Sequence, residues 1–254
     1  MDRFKGLKIG VQAWTYRQFD LEGMYAKIID LGLQHVELGV IGGGAVLPEK
    51  PENIKRAIEL AEQTGIRCET YNGKFPSDAS EKDHREMFEI TRQLGASVLS
   101  GGISSSQLDT LEKLAEEYDI KVAMHNHGPG GELKSVEAIA AIMKNHGPRV
   151  GLCVDTGHYL RLPLNPLDVL KAFPERIHAV HLRDMDPDKD PIKGDGGNYK
   201  EYIPGQGPLD LRGVMQLLLS WKYRGTIGLE YKPNPEDPTP DLRIALSNIE
   251  AALR

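Results

Sequence analysis

The chain has 254 residues, long enough to bury a substantial core and short enough that one domain is expected. Lys and Arg total 31 against 37 Asp and Glu, and this formal charge of −6 opposes a phosphate backbone, so nucleic acid is not expected as a partner. The only cysteines, Cys68 and Cys153, sit in apolar strand-like runs, where buried thiols are commoner than half-cystines.

Together the two cysteines lead us to expect a reducing, cytoplasmic setting. The N-terminal MDRFKGLKIG enters a strand pattern without an apolar leader, and no run of ~18 apolar residues follows. Neither secretion nor a membrane partner is therefore expected.

Several helical patterns end in Gly followed at once by a short apolar run: Gly32 before QHVEL, Gly65 before IRCET, Gly95 before ASVLS and Gly225 before TIGLE. Each reads as a helix C-cap feeding a strand. Gly32 to Gly65 spans 33 residues and Gly65 to Gly95 spans 30, the size of one βα unit.

Strands are predicted near 8–13, 34–38, 66–71, 96–100, 120–125, 150–155, 177–182 and 226–231. Helices are predicted near 22–31, 51–64, 80–94, 107–118, 135–146, 165–173, 209–222 and 241–253. Pro51 fits the first helical position and Ser135 an N-cap. Strict βα alternation implies a parallel sheet with right-handed crossovers, and eight units close into an α/β (β/α)₈ barrel of roughly 250 residues, with an open doubly wound sheet as the alternative. Gly42-Gly43-Gly44 lacks both the GK[ST] and the dinucleotide spacing, and reads as a flexible βα loop. From Arg183 to Gly207 the chain is rich in Gly, Pro and Asp, and a connection this long is expected to be a lid or binding loop.

In parallel α/β folds the site lies at the C-terminal ends of the strands. There the sequence presents Glu37, Glu69, His125 with Asn126 and His127, Asp155 with His158, His181 with Arg183, and Glu230. Mixed imidazole and carboxylate donors suit Mn, Fe, Co, Ni or Zn, whereas Mg and Ca prefer oxygen alone. The expected ligands are His125, Asp155, His181 and Glu230. His178, three residues from His181, falls on the opposite face of an extended strand and reads as packing or surface. His35, His84 and His146 have no partner spacing. Trp14 and Tyr16, in AWTY after the first strand, are expected to form an apolar wall against a substrate ring.

The motifs HNHG (125–128), GLCVDTGHYLR (151–161), IHAVHLRD (177–184), IPGQGPLD (203–210) and IGLEY (227–231) resemble those of the xylose isomerase-like TIM-barrel superfamily, which includes sugar isomerases, epimerases, inosose dehydratases and, more distantly, AP endonucleases. The resemblance implies a divalent metal, most often Mn²⁺, with Zn²⁺, Co²⁺ or Fe²⁺ as alternatives. It implies Asp155, His181 and Glu230 as ligands, His158 as a substrate contact, and Arg183 as the group steadying a substrate oxygen. It also implies a substrate-binding role for Glu37 and suggests a homodimer.

Strand five departs from the pattern, placing His125 where many isomerases and epimerases have Glu. A two-carboxylate proton shuttle is then ruled out, and Glu230 or His127 is expected to act as a single base. Glu132, just beyond in GPGGE, is expected as a substrate contact, ligand or base.

The leading expectation is a metal-dependent isomerase or epimerase that removes a proton alpha to the carbonyl of a small keto-sugar or polyol. Dehydration of a keto-inositol or 3-keto-sugar is the alternative. Phosphodiester cleavage at abasic DNA and a non-catalytic sugar-binding barrel are the more distant ones.

Overall fold

The computed structural model describes residues 2–42, 44–162, 164–187 and 199–254. Eight parallel strands close into a barrel in the order β1-β10-β7-β6-β5-β4-β3-β2. They are β1 (Lys8–Gln12), β2 (His35–Gly39), β3 (Arg67–Asn72), β4 (Val98–Gly101), β5 (Lys121–His125), β6 (Val150–Asp155), β7 (Ile177–Leu182) and β10 (Thr226–Leu229). The remaining two strands, β8 (Asp184–Met185) and β9 (Glu201–Tyr202), pair antiparallel in the connection after β7.

The outer helices are α1 (Leu21–Asp30), α2 (Pro51–Thr64), α3 (Glu81–Gln93), α4 (Leu108–Tyr118), α5 (Val136–Met143), α7 (Pro166–Ala172), α8 (Leu211–Ser220) and α9 (Thr239–Ala252). A short extra helix unforeseen from sequence, α6 (Thr156–Leu160), follows β6 directly.

Local signals explain the element ends. Gly32, Gly65 and Gly95 adopt left-handed φ of 69°, 74° and 71°, as expected of glycines that reverse the chain after a helix. Gly225 does not, and the reading of it as a cap is corrected: α8 stops at Ser220 and Lys222 takes the left-handed conformation at φ 52°. Gly225 is small for another reason, since a Cβ there would lie 2.3 Å from Tyr223 Oη and 2.6 Å from the His178 carbonyl oxygen. Pro51 starts α2, and Ser135 Oγ caps α5 by accepting from Ala138 N.

The barrel interior changes character one step up the strands. Val98, Ala123, Cys153 and Ala179 form a small, fully packed apolar cluster. Two residues further along the same strands stand Ser100, His125, Asp155 and His181, all buried and polar. Because strand side chains alternate faces, the same inward stripe that packs the core delivers the polar set at its C-terminal end. The parallel register puts Cys153 opposite Ala179 and Asp155 opposite His181.

Burial pushes the Cys68 and Cys153 thiols up to about 12, and both are free, as expected of packing thiols. Among the described residues no helix is long and apolar enough to cross a membrane. Gly43, within the loop read as flexible, and residues 188–198, the middle of the long connection, lie outside the described residues.

Candidate metal centre and its cavity

His125, Asp155, His181 and Glu230 converge, their potential ligand atoms all within 4.8 Å of one another and all four residues buried. His181 Nδ1 lies 3.1 Å from His125 Nε2 and 3.1 Å from Glu230 Oε2, while His125 Nε2 lies 3.4 Å from Asp155 Oδ2. Asp155 divides its carboxylate between two tasks. Its Oδ1 accepts from His158 N at 2.8 Å and caps α6, whereas its Oδ2, fully buried, has no hydrogen-bond partner. A buried carboxylate oxygen without a hydrogen bond costs free energy; this one has the Arg183 guanidinium at 3.6 Å on one side and faces two imidazoles and a second carboxylate, a set that a bound cation would complete. The donor set therefore fits a divalent ion of the borderline type, with two nitrogens and two carboxylates.

Neighbouring side chains fix each ligand. Asn126, between the two histidines of HNH, accepts from Asp155 N and donates to Asp155 O, at 2.8 and 3.0 Å, latching the ends of β5 and β6 together. Thr156 Oγ1 bridges the Arg183 peptide, accepting from its N at 2.9 Å and donating to its O at 2.6 Å. Gly157 follows because a Cβ there would lie 2.5 Å from Met185 Sδ and 2.7 Å from Arg183 Cβ. The Thr-Gly of DTGH is thus the joint that lets α6 pack on the end of β7.

Charge is concentrated here. Arg183 is fully buried and donates to Glu230 Oε1 at 2.9 Å and to both oxygens of Glu201 at 3.1 and 2.9 Å. Burial alone would raise the Asp155 carboxyl, but His158, Arg183 and His125 beside it hold it well below the usual range. Glu230 is lowered likewise, with Arg183 and His181 outweighing its burial. Burial lowers His158 to about 3, and it stays neutral at pH 7 between two guanidinium groups: Arg161 Nη1 at 3.2 Å from Nδ1 and Arg183 Nη1 at 3.4 Å from Nε2. Arginine only donates, so a neutral imidazole, with one acceptor nitrogen, can accept from only one of the two guanidinium groups at a time.

A cavity of 330 Å³ opens over the cluster, and its lining includes His125, His127, His158, His181 and Glu230 together with Gln12, Trp14, Val40, Ile41, Lys74 and Lys232. Trp14 is therefore a wall residue as expected. Tyr16 is not, and this expectation is corrected: it is 1% exposed, packs edge-on against Phe19 and bonds Thr239 Oγ1 through its hydroxyl, two residues along the 3-10 turn after β1 being enough to rotate it into the core.

Glu37 does not line the cavity either. It is buried and holds His181 Nε2 at 2.9 Å through Oε1, so it supports a ligand rather than touching substrate. Glu132 stays outside the ligand cluster, accepting from Ser105 N at 2.8 Å on the exposed rim. Glu69 turns away to pair with Lys8 and His35. His127 lines the cavity with Nε2 3.3 Å from His125 Nδ1.

Sequence reasoning passed over Glu201, Arg161, Lys74 and Lys232. Only Arg161 had a signal, its spacing of three from His158 in a helix-capping context. Glu201 is one of many acidic residues in a long connection, and only β8–β9 pairing brings it to Arg183.

A family profile for xylose isomerase-like TIM barrels matches residues 25–249. The chain belongs to this family. Its candidate metal cluster and cavity sit at the strand ends of a fold shared by enzymes that modify sugars. Inosose dehydratases of Klebsiella pneumoniae and Lactiplantibacillus plantarum are 32% identical over 143 residues and 30% identical over 137. The matched segments cover 52% and 50% of this chain and 48% and 45% of those enzymes, so the match spans about half the length of either. The solved structure of the IolI protein, which holds a bound zinc atom, superposes with a TM-score of 0.72 at 20% identity, covering 97% of this chain and 96% of that one.

Proposed function

We propose that this family member is a divalent-metal-dependent dehydratase, removing water from a keto-inositol or a related keto-sugar. Isomerisation or epimerisation, the reading the motifs first suggested, is less well supported, because inosose dehydratases are among the relatives matched in sequence. The observation that carries the reading is the cavity wall itself: beside the ligand set it offers two imidazoles, His127 and His158, and, among the described residues, no second carboxylate base. Epimerisation by two opposed carboxylates has no counterpart among the described residues, whereas elimination needs one base that also returns its proton.

His125, Asp155, His181 and Glu230 would hold the ion, with Zn²⁺ as reasonable a candidate as the Mn²⁺ implied by the motifs. When bound, the ion supplies Lewis-acid polarisation of a substrate oxygen. His158, held neutral between two arginines, lines the cavity as a substrate contact rather than a base. Arg183 adds positive charge where an enolate would develop. His127, the cavity imidazole outside both the ligand set and the arginine clamp, accepts the proton alpha to the carbonyl. It returns that proton to the departing β-hydroxyl, so a hydroxy-ketone becomes an enone and one water. The partner is thus a small polyol; neither nucleic acid nor membrane is involved, and a second copy of the chain is the remaining candidate partner.

Incubating zinc- or manganese-loaded protein with keto-inositols and keto-sugars in D₂O, followed by NMR and mass spectrometry, tests this reading. Loss of one water, abolished in His127→Ala, is expected. Deuterium incorporation or a new stereoisomer without water loss would replace it with isomerase chemistry.

A further inference from the structure

Cys153 belongs to two parts of the barrel at once. Its side chain is fully buried in the small layer of Val98, Ala123 and Ala179 that underlies the candidate metal cluster. It also stands two residues below Asp155 on the inward stripe of β6, directly across from His125 in the β5–β6 register. One potential ligand atom of Cys153 lies within 4.8 Å of one from His125 and one from His181. The same bound holds for the four-residue set, and among the described residues these are the two clusters of this kind.

The two sets share their histidines. Asp155 and Glu230 bring oxygen to the pair, and Cys153 brings sulfur, with its thiol in hydrogen-bond contact with the His181 imidazole. The other free cysteine provides the contrast: Cys68 Sγ lies 3.3 Å from the Thr70 carbonyl oxygen and belongs to neither set. An independent mark of a bound cation at this point is Asp155 Oδ2. It is fully buried without a hydrogen bond, 3.4 Å from His125 Nε2 and 4.0 Å from His181 Nδ1.

We propose that Cys153 is a further metal ligand and that the barrel holds two overlapping sites: an oxygen-rich one on His125, Asp155, His181 and Glu230, and a sulfur-bearing one on His125, Cys153 and His181 that takes thiophilic divalent ions. Thiolate is a soft donor that selects soft ions, whereas carboxylates suit Mn²⁺. The hardness of the ion thus decides whether it is held toward the cavity or drawn down toward the apolar layer. Coordination deprotonates a thiol outright, so the S–metal bond forms as the S–H bond breaks and the proton leaves to solvent. The inference rests on the shared histidines as ligands and not on the reaction the enzyme performs.

The test titrates metal-free protein with Cd²⁺ as the thiophilic probe and, separately, with Mn²⁺. Ultraviolet difference absorption and competition with a chromophoric chelator read the result. Cd²⁺ should raise a thiolate-to-metal charge-transfer band that saturates with binding, and Mn²⁺ should raise none. Cys68→Ser should keep the band. Cys153→Ala should lose it, with Cd²⁺ affinity falling by about tenfold or more and Mn²⁺ affinity unchanged. Unchanged Mn²⁺ binding also shows that a third alanine beside Ala123 and Ala179 leaves the barrel folded.

Cd²⁺-loaded wild type without the band would overturn the proposal, whatever the variants do, and would leave the four-residue site standing. A band that survives in Cys153→Ala would overturn it as well, because the thiolate would then be Cys68. None of these readouts needs turnover, so absence of water loss from every keto substrate would remove the dehydratase reading alone.

Discussion

His181 Nε2 lies 2.9 Å from Glu37 Oε1, and this contact aims the opposite nitrogen, Nδ1, at His125, Glu230 and the free oxygen of Asp155. A carboxylate behind a ligating imidazole fixes its tautomer and increases its basicity. Glu37→Leu should therefore weaken metal binding by roughly 10–100-fold while leaving the ion's stoichiometry intact. Competition with a chromophoric chelator measures this, and unaltered affinity would show that Glu37 does not orient the ligand.

Asp155 separates folding from metal binding. Asn keeps an oxygen acceptor for His158 N, so Asp155→Asn should retain the α6 cap and lose the ion. Asp155→Ala should lose both, with a further cost of about 1 kcal/mol for the missing cap. Metal content by elemental analysis and urea midpoints of the metal-free proteins distinguish the two variants. Full metal retention in Asp155→Asn would disprove the ligand assignment.

Glu201 should matter although it touches no ligand. Its side chain is 5% exposed and that of Arg183 is 0%, so removing the bidentate carboxylate strands part of a buried guanidinium charge. Glu201→Ala is expected to lower stability by on the order of 3 kcal/mol. It should also depress kcat more than it raises KM, because Arg183 loses the contact that orients it. Denaturant titration and steady-state rates report these separately; a variant equal to wild type in both would show the clamp to be idle.

Acid should destabilise the barrel through His178. Burial, with Lys121 and Arg176 nearby, lowers this imidazole from 6.5 to about 3 in the folded state. A depressed folded pKa means that the unfolded chain binds the proton more readily. The stabilising contribution is complete above pH 6.5 and is lost as pH falls toward 3, with a slope of up to about 1.4 kcal/mol per unit. His178→Phe should flatten the stability profile across that window relative to wild type. An unchanged profile, measured on metal-free protein so that ligand protonation does not contribute, would refute the attribution.

Much of this was legible in the sequence. Short apolar runs, Gly-terminated helical patterns and 30- to 33-residue spacing indicated the alternation, and eight alternating units leave closure as the natural outcome. The ligand set was equally readable, since inward-facing residues at strand ends must meet once the barrel closes. His125, Asp155, His181 and Glu230 needed no loop geometry to be placed.

What sequence left open depends on side-chain direction and on contacts across distant segments. Tyr16 and Trp14 are two residues apart, yet the 3-10 turn after β1 sends one into the core and the other to the cavity. Glu37 and Glu132 are both carboxylates near strand ends, and only packing makes one a buried support and the other a rim cap. The pairing of Arg183 with Glu201 was decided by tertiary structure alone. Backbone periodicity is a local property written residue by residue, whereas the partner of a charge is set by which chain segments the closed barrel brings within hydrogen-bond reach.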